Sequence, residues 1–439
     1  MWIEYNRFAL SDGGRYALNA KNDGALVATE SKNCRVAKGM LRSGVGIQEI
    51  QNIYGDSLYV PGGRAVLAIT GWQRPEGLDT EFAFISSEGD IYVYSGLDDA
   101  LKKMNTLHRG YTTLFRDTSD STGKRMIALC PDGFCLFTRH GRLNEYTGNC
   151  TGTGCVFYNR LFFADENIVR FSEVDSYTDF SESVQGGGKV ELMGEGPVQK
   201  LIVYRDAILV FMRDSAIEFH AKGAADEFFA KPIDYYGHRI VGGTVARCGD
   251  NVLFINCVGE LYRLHGDSCQ RIAENIPPEF YEDGVRAAAN GELYFVTGMN
   301  GRTLVADLDG ECYFLNYILT ALTDCAGEAV GVYSGVLRKF VETAELPKNK
   351  HCSFTVEDWL EKDGRERQIE KIRLYGTGNA TVTVKNSGKS VSRSVTLREC
   401  GVDVPIALRA KKFKLEIGLG VNSKIWKLDA LACDVGGEK

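Results

Sequence analysis

Apolar residues in this chain come in short runs, broken at close intervals by Gly, Asp or Asn. Residues 124–138 read KRMIALC, PDG, FCLFT, and residues 199–220 read QKLIVY, RDA, ILVFM, RDS, AIEFH. Residues 245–264 read VARC, GDN, VLFINC, VGE, LYRL, and residues 286–315 read RAAA, NGE, LYFVTG, MNGR, TLVADL, DGE, CYFL. Runs of about five residues bounded by turn formers predict strands joined in hairpins. The units resemble one another and recur every ~40 to 50 residues, the spacing of a β-propeller or a related all-β array. They fall near 65–96, 111–147, 155–173, 197–221, 243–273, 285–316 and 328–342. The expected fold is therefore all-β, with a six- or seven-bladed β-propeller over residues 61–345. Residues 1–60 supply N-terminal strands that partly complete it. Closure of such a ring covers strand edges that would otherwise invite aggregation. Neither a G-H…W-D pairing nor an S-x-D-x-G-x-T-W box accompanies the repeat. One segment, GLDDALKKMNT at 97–107, predicts a short helix.

The pattern changes after AELPKNK (344–350). Longer, strictly alternating runs follow at 369–376, 379–386, 389–397, 404–410, 411–420 and 424–434. Six such strands predict a small β-sandwich over 350–439, each sheet with one wet face. Charge divides at the same boundary. Residues 350–439 hold 17 basic and 12 acidic side chains, a net of +5, and the rest hold 34 and 46, a net of −12. Two units facing different surroundings are implied. So acidic a larger unit does not suit wrapping nucleic acid, which needs clustered positive charge.

Composition adds little beyond this. The 49 glycines and 9 prolines suit many tight turns. The opening MWIEYNRFALSDGG lacks the apolar segment of a signal peptide, and no run approaches the ~18 apolar residues of a membrane span. The 13 cysteines, odd in number and scattered, argue against a complete disulfide framework. Free, mostly buried thiols and cytosolic synthesis are expected.

Catalytic and metal motifs are missing. The histidines at 108, 140, 220, 238, 265 and 351 show no H-E-x-x-H or H-x-H spacing, and neither a G-x-S-x-G elbow nor a phosphate-binding loop occurs. A non-enzymatic protein without cofactor or metal is expected. Cys130, Cys135, Cys150 and Cys155 form C-x4-C twice, wider than the usual C-x2-C zinc knuckle. Cys130 and Cys135 flank the PDG turn and read as buried hydrophobes of a hairpin. D-L-D-G-E (307–311) and D-T-S-D-S-T-G (117–123) lack the complete calcium-loop pattern and read as acidic turns. N-C-T (149–151) and N-A-T (379–381) match glycosylation acceptors but carry little weight without a secretory signal. Tyr235 and Tyr236 could form a ligand platform, although packing or subunit contact is the simpler expectation.

The stretch YNRLFFADENIVRFSEVDSYTDF (158–180) is a hairpin followed by an acidic, aromatic tail. Ser172 and Glu173 end a strand where a side-chain-to-backbone turn can start. Asp175 and Asp179 keep the loop wet, and Tyr177 and Phe180 pin it down. The order N-R-L-F-F, turn, strand ending S-E, then D-S-Y-T-D-F resembles a recurrent signature of tail-associated virion proteins of bacteriophages. These include the packaged-DNA stabilisation or tail-nozzle proteins of short-tailed phages. The segment ALVATESKNCRVAKGMLRSGVGIQEI (25–50) is similar to that family's opening, where an Asn-containing strand leads to G-x-L-R-x-x-x-G. Residues KIRLYGTGNATVTV and VPIALRAKKFKLEIGLG are similar to its ending.

The resemblance implies a structural virion protein of a phage tail or neck, made in the bacterial host cytoplasm. It would form a homo-oligomeric ring that helps retain or conduct packaged DNA and connects tail parts. Its expected partners are neighbouring tail, adaptor or portal proteins and DNA in transient, non-specific passage, with no membrane insertion. The alternatives are a propeller module binding host-surface glycans and a propeller hydrolase or lyase. Charge complementarity nominates a subunit contact between Lys411, Lys412 and Lys414, beside Arg409, and the acidic loop residues Glu173, Asp175 and Asp179 of a neighbour.

Overall fold

A computed structural model describes residues 1–10, 25–51, 55–60, 65–73, 80–95, 100–117, 125–138, 140–150, 152–183, 186–193, 196–325, 327–360 and 365–435. Their regular structure is all β apart from three short 3-10 turns. Seven four-stranded antiparallel sheets follow one another. Sheet 1 runs from Val66–Gln73 to Ala100–Lys103, sheet 2 from Thr113–Arg116 to Gly141–Thr147, and sheet 3 from Gly154–Phe157 to Gly188–Glu191. Sheet 4 runs from Val198–Tyr204 to Phe229–Ile233, sheet 5 from Ala246–Cys248 to Ser268–Ala273, and sheet 6 from Arg286–Asn290 to Cys312–Leu315. Sheet 7 takes Thr320–Cys325, Glu328–Tyr333 and Val336–Val341 in order, and its fourth strand, Gly46–Glu49, from the other end of the chain.

Packing makes this series a ring. An apolar cluster joins each successive pair of sheets, such as Ile85, Val93, Met126 and Phe137 between sheets 1 and 2, and the one between sheets 6 and 7 continues into the core beyond residue 350. The last of them, with Ile69, Phe84, Val330 and Leu337, joins sheet 7 back to sheet 1. First strands of neighbouring sheets lie against one another, so they form the inner wall. Between sheets 4 and 5 the wall is completed by the 3-10 turn Gly242–Thr244, which precedes sheet 5 and also lies against the first strand of sheet 6.

Burial on both faces explains the unbroken apolar runs. Met126–Cys130 and Ala207–Met212 are buried at every residue. Strands beyond residue 350 alternate instead, as Phe413–Leu419 does, because one face meets water.

The helix expected over 97–107 is not found where that segment is described. Ala100–Lys103 is the outer strand of sheet 1, antiparallel to Ile91–Ser95. The exposed edge of Ile91–Ser95 offers backbone partners in register, and the Met104 N–H donates to the Ile91 carbonyl at 2.9 Å. Burial of Met104 between sheets 1 and 2 adds an apolar gain that local helix propensity does not match.

Two further sheets share one core. A six-stranded sheet holds Arg367–Thr377, Val402–Ala410 and Lys424–Asp434, and it recruits Trp2–Tyr5, Cys34–Ala37 and Met40–Ser43. A five-stranded sheet holds Cys352–Trp359, Asn379–Lys385, Ser390–Thr396 and Phe413–Leu419, and it recruits Glu30–Lys32. Ile372, Leu374, Val382 and Ile417 meet between them, in the same cluster as Phe295 and Phe340 of sheets 6 and 7. The N-terminal strands thus serve both units: Gly46–Glu49 completes sheet 7, and Leu58 and Val60 also bond to it through Leu337 and Gly335.

Asn33 holds this junction. Fully buried and at φ +52, it donates from Nδ2 to the His351 carbonyl at 2.9 Å and accepts from the Asn316 N–H at 2.8 Å.

In the six-stranded sheet, Asp403 accepts from Arg373 Nη2 at 3.0 Å and from Lys371 Nζ at 2.7 Å. Arg373 first, then Lys371, hold its carboxyl down at about 2. A depressed folded pKa contributes stability above the unfolded value and loses it as pH falls toward 2. The pair is about a third exposed, so screening limits its worth. Asp403→Asn is expected to cost a few tenths to about 1 kcal/mol at pH 7, and the difference should vanish near pH 2. Urea midpoints of both proteins across that range check it, and a pH-independent gap would refute the electrostatic account.

Candidate functional site

The 158–187 segment is a built clamp. Tyr158 and Asn159, at φ +45 and +58, form the two-residue turn between Gly154–Phe157 and Arg160–Asp165. Arg160 then enters the sheet with its side chain buried. Its Nη1 donates to the Ser172 carbonyl at 2.8 Å and to the Gly186 carbonyl at 2.6 Å. The guanidinium lies over Phe171 and Phe228, at 5.7 and 5.6 Å from the ring centroids. Ser172 Oγ accepts from the Leu161 N–H at 3.0 Å and donates to the Glu173 carbonyl at 2.9 Å. The side-chain-to-backbone turn expected at this strand end is therefore present.

Tyr177 and Phe180 anchor the tail. The buried Tyr177 hydroxyl donates to Asp117 Oδ2 at 2.8 Å, and Arg125 Nε pairs with the same oxygen at 3.0 Å. Burial, then the Asp117 carboxylate, pushes the Tyr177 phenol well above its ordinary range. Phe180 packs on Phe163 and Tyr146, with centroids 5.1 and 4.8 Å away. Asp175 is exposed at φ +61, while Glu173 and Asp179 are half-buried at the rim. Asp179 Oδ1 accepts from the Ser181 N–H at 2.9 Å, which holds its carboxyl below the ordinary range.

The basic residues nominated for subunit contact have acidic neighbours of their own. Lys414 pairs with Glu357, Lys412 with Asp358 at 3.5 Å, and Arg409 with Glu366 at 2.7 Å. Lys411 is exposed. Among the described residues no ion pair joins these cations to Glu173, Asp175 or Asp179 within one chain.

The remaining sequence candidates separate. Tyr235 is buried against Phe254 and Tyr262 and donates to the His238 carbonyl, whereas Tyr236 is 92% exposed. The pair therefore makes no common platform. Cys130 and Cys135 lie in the cluster between sheets 1 and 2, Cys150 in the next, and Cys155 in the one beyond. Burial pushes the Cys135, Cys150 and Cys155 thiols up to about 12. D-L-D-G-E is a hairpin turn in which Asp307 Oδ1 accepts from the Asp309 and Glu311 N–H groups at 3.0 and 2.9 Å. Beyond Asp117, the D-T-S-D-S-T-G segment lies outside the described residues, as does Thr151 of N-C-T.

No family model and no curated protein matches the chain. Among solved structures it is similar to the computationally designed Ika8 protein, with TM-score 0.43 and 11% identity over 64% of this chain and 98% of that one. It is also similar to BamB from Moraxella catarrhalis, with TM-score 0.44 and 9% identity over 74% of this chain and 98% of that one.

The inner wall carries a cluster that sequence patterning did not single out. Lys200 is the third residue of the first strand of sheet 4, Arg286 opens the first strand of sheet 6, and Cys155 lies on the first strand of sheet 3. Burial and the Arg286 charge pull the Lys200 ammonium down to about 8. By surface area Arg286 is exposed and Lys200 half-buried, and the protein packed around Arg286 still lowers its guanidinium. The available signal was a lone basic residue heading an apolar run: Arg160 before LFF, Lys200 before LIVY, Arg286 before AAA. On the five-stranded sheet, Asn379, Thr381, Ser394, Thr396 and Glu416 line an open groove of about 550 Å³ together with apolar residues such as Ala380, Val395 and Leu419.

Proposed function

We propose that this chain is a non-enzymatic structural protein of a bacteriophage tail or neck. Its ring of sheets is a seven-bladed β-propeller closed by Gly46–Glu49, and its two further sheets are a β-sandwich completed by N-terminal strands. Copies associate in a ring that helps retain or conduct packaged DNA and joins neighbouring tail, adaptor or portal proteins in the virion.

One observation carries this reading. The residues that produce the resemblance are engaged in turns and packing rather than facing an open cleft. Arg160, Ser172, Tyr177 and Phe180 clamp one loop. Asn33 and Gly46 lock the two units together. A shared structural signature without a reactive constellation supports an assembly role.

The ring contact is electrostatic in this proposal, between the Lys411, Lys412 and Lys414 face and the Glu173, Asp175 and Asp179 rim of the next copy. Each propeller already closes on itself and leaves little apolar surface for a partner, so isolated subunits should associate weakly. Reversal of the three lysines to Glu should lower the number of copies retained per purified particle. It also breaks the Lys414–Glu357 and Lys412–Asp358 pairs, so a second arm reverses Glu173, Asp175 and Asp179 to Lys. Each reversal alone should weaken assembly, and the two together should restore it. Normal occupancy in both single reversals would reject the contact, and electron microscopy of particles lacking any ring of this protein would reject the virion role.

A further inference from the structure

We propose that the inner wall of the ring binds a phosphate group between Lys200 and Arg286. Two cations stand at one end of the wall, on the first strands of sheets 4 and 6. Among the described residues neither side chain has an acidic partner or a hydrogen bond, although 46 acidic residues lie outside residues 350–439. Nearly every other basic side chain discussed here is paired.

The backbone draws the two together. A Cβ on Gly242 would lie 2.5 Å from the Gln199 carbonyl, and one on Gly243 would lie 2.3 Å from the Val285 carbonyl. These adjacent glycines let the residues preceding Lys200 and Arg286 close on the same turn from opposite sides. The first strand of sheet 5 begins only at Ala246, and the turn before it lies against the first strands of both sheets 4 and 6. Leu201 is held in place by its N–H bond to Thr153 Oγ1 of the neighbouring sheet, at 3.0 Å.

Burial first, and the like charge of Arg286 second, lower the Lys200 ammonium. The other titratable group facing Lys200 is Cys155, whose thiol stays protonated because burial raises it. Among the described residues no acidic side chain pairs with either cation. A phosphate would do so: its oxygens can accept from a forked guanidinium on one side and from a point-charge ammonium on the other. Both the free ion and the terminal group of a small phosphomonoester present that chemistry.

Calorimetry of the full chain at pH 7 and fixed ionic strength, with inorganic phosphate and glycerol phosphate as separate titrants, tests this. One phosphate per chain is expected. Lys200→Met and Arg286→Met should each weaken it about tenfold or more, the scale of a lost charge-assisted hydrogen bond. Lys200→Arg should retain most of it. Circular dichroism in chloride verifies that each variant folds. Binding of inorganic phosphate alone would identify the free ion, and binding of both titrants a site open to esters; either supports the proposal. In the unmodified protein, the Lys200 ε-carbon titration followed by NMR should move to higher pH when phosphate is added. No heat at millimolar phosphate, an affinity unchanged in both Met variants, or an unmoved Lys200 titration would overturn it.

Discussion

Arg160→Met should be among the most destabilising single changes in the chain, lowering unfolding free energy by about 3 kcal/mol or more. The guanidinium is buried and supplies the carbonyls of Ser172 and Gly186 with charge-assisted donors. A methionine fills similar space between Phe171 and Phe228 but leaves both oxygens without that donor. Each unsatisfied buried acceptor costs about 1–3 kcal/mol, and the lost contact over the rings adds to it. Lysine is not an adequate substitute, because its compact, strongly hydrated ammonium does not stack over Phe171 and Phe228 as the planar guanidinium does while Nη1 reaches both oxygens. Arg160→Lys should therefore recover less than half of the loss. Urea denaturation with a shared slope measures both variants. A loss under about 1 kcal/mol for Arg160→Met would mean that the loop holds itself through Tyr177 and Phe180 alone.

Gly46→Val should open the ring. Gly46 begins the strand that completes sheet 7, pairing with Val341. A Cβ there would lie 2.2 Å from the Ala344 carbonyl oxygen and 2.4 Å from that of Glu345. Both atoms are backbone, so no side chain can swing aside, and the strand itself must move. Moving it breaks the bond from the Ile47 N–H to the Glu345 carbonyl, 3.1 Å long, and draws Ile47 out of the core. The expected loss is about 3 kcal/mol, the upper end for overpacking a well-packed site. Cleavage by a protease between residues 25 and 60 should accelerate along with it. Gly388→Ala is the control: a Cβ there meets nothing within 4 Å, and stability should stay within about 0.5 kcal/mol. Equal protease resistance of Gly46→Val and the parent protein would show that ring closure does not depend on this strand.

Much of the fold was legible because burial on two faces and burial on one leave different patterns. Met126–Cys130 and Ala207–Met212 read as solid apolar runs because neighbouring sheets cover both sides. Phe413–Leu419 alternates because one side is wet. The hairpin at 158–171 and the anchoring of Tyr177 and Phe180 were legible for the same reason: turn formers and large rings state their surroundings locally. The composition of 97–107 favours a helix, whereas its described residues 100–103 pair an open strand edge. Arg160, Lys200 and Arg286 were passed over because a single basic residue at the head of an apolar run says nothing about what it faces. At Tyr235–Tyr236 the expected packing holds for the first ring, which enters the core, and not for the second, which stays exposed.

Local pattern by itself determined that this chain is a series of short antiparallel hairpins followed by longer half-wet strands. Such preferences depend only on side-chain period, turn residues and burial. Tertiary structure alone decided which strands close the ring, which N-terminal strands join the C-terminal sheets, and which cations meet at the inner wall. Those outcomes join residues hundreds of positions apart, such as Gly46 with Val341 and Asn33 with His351. Their energies come from contacts that exist only once both partners are in place, so no stretch of sequence carries them alone.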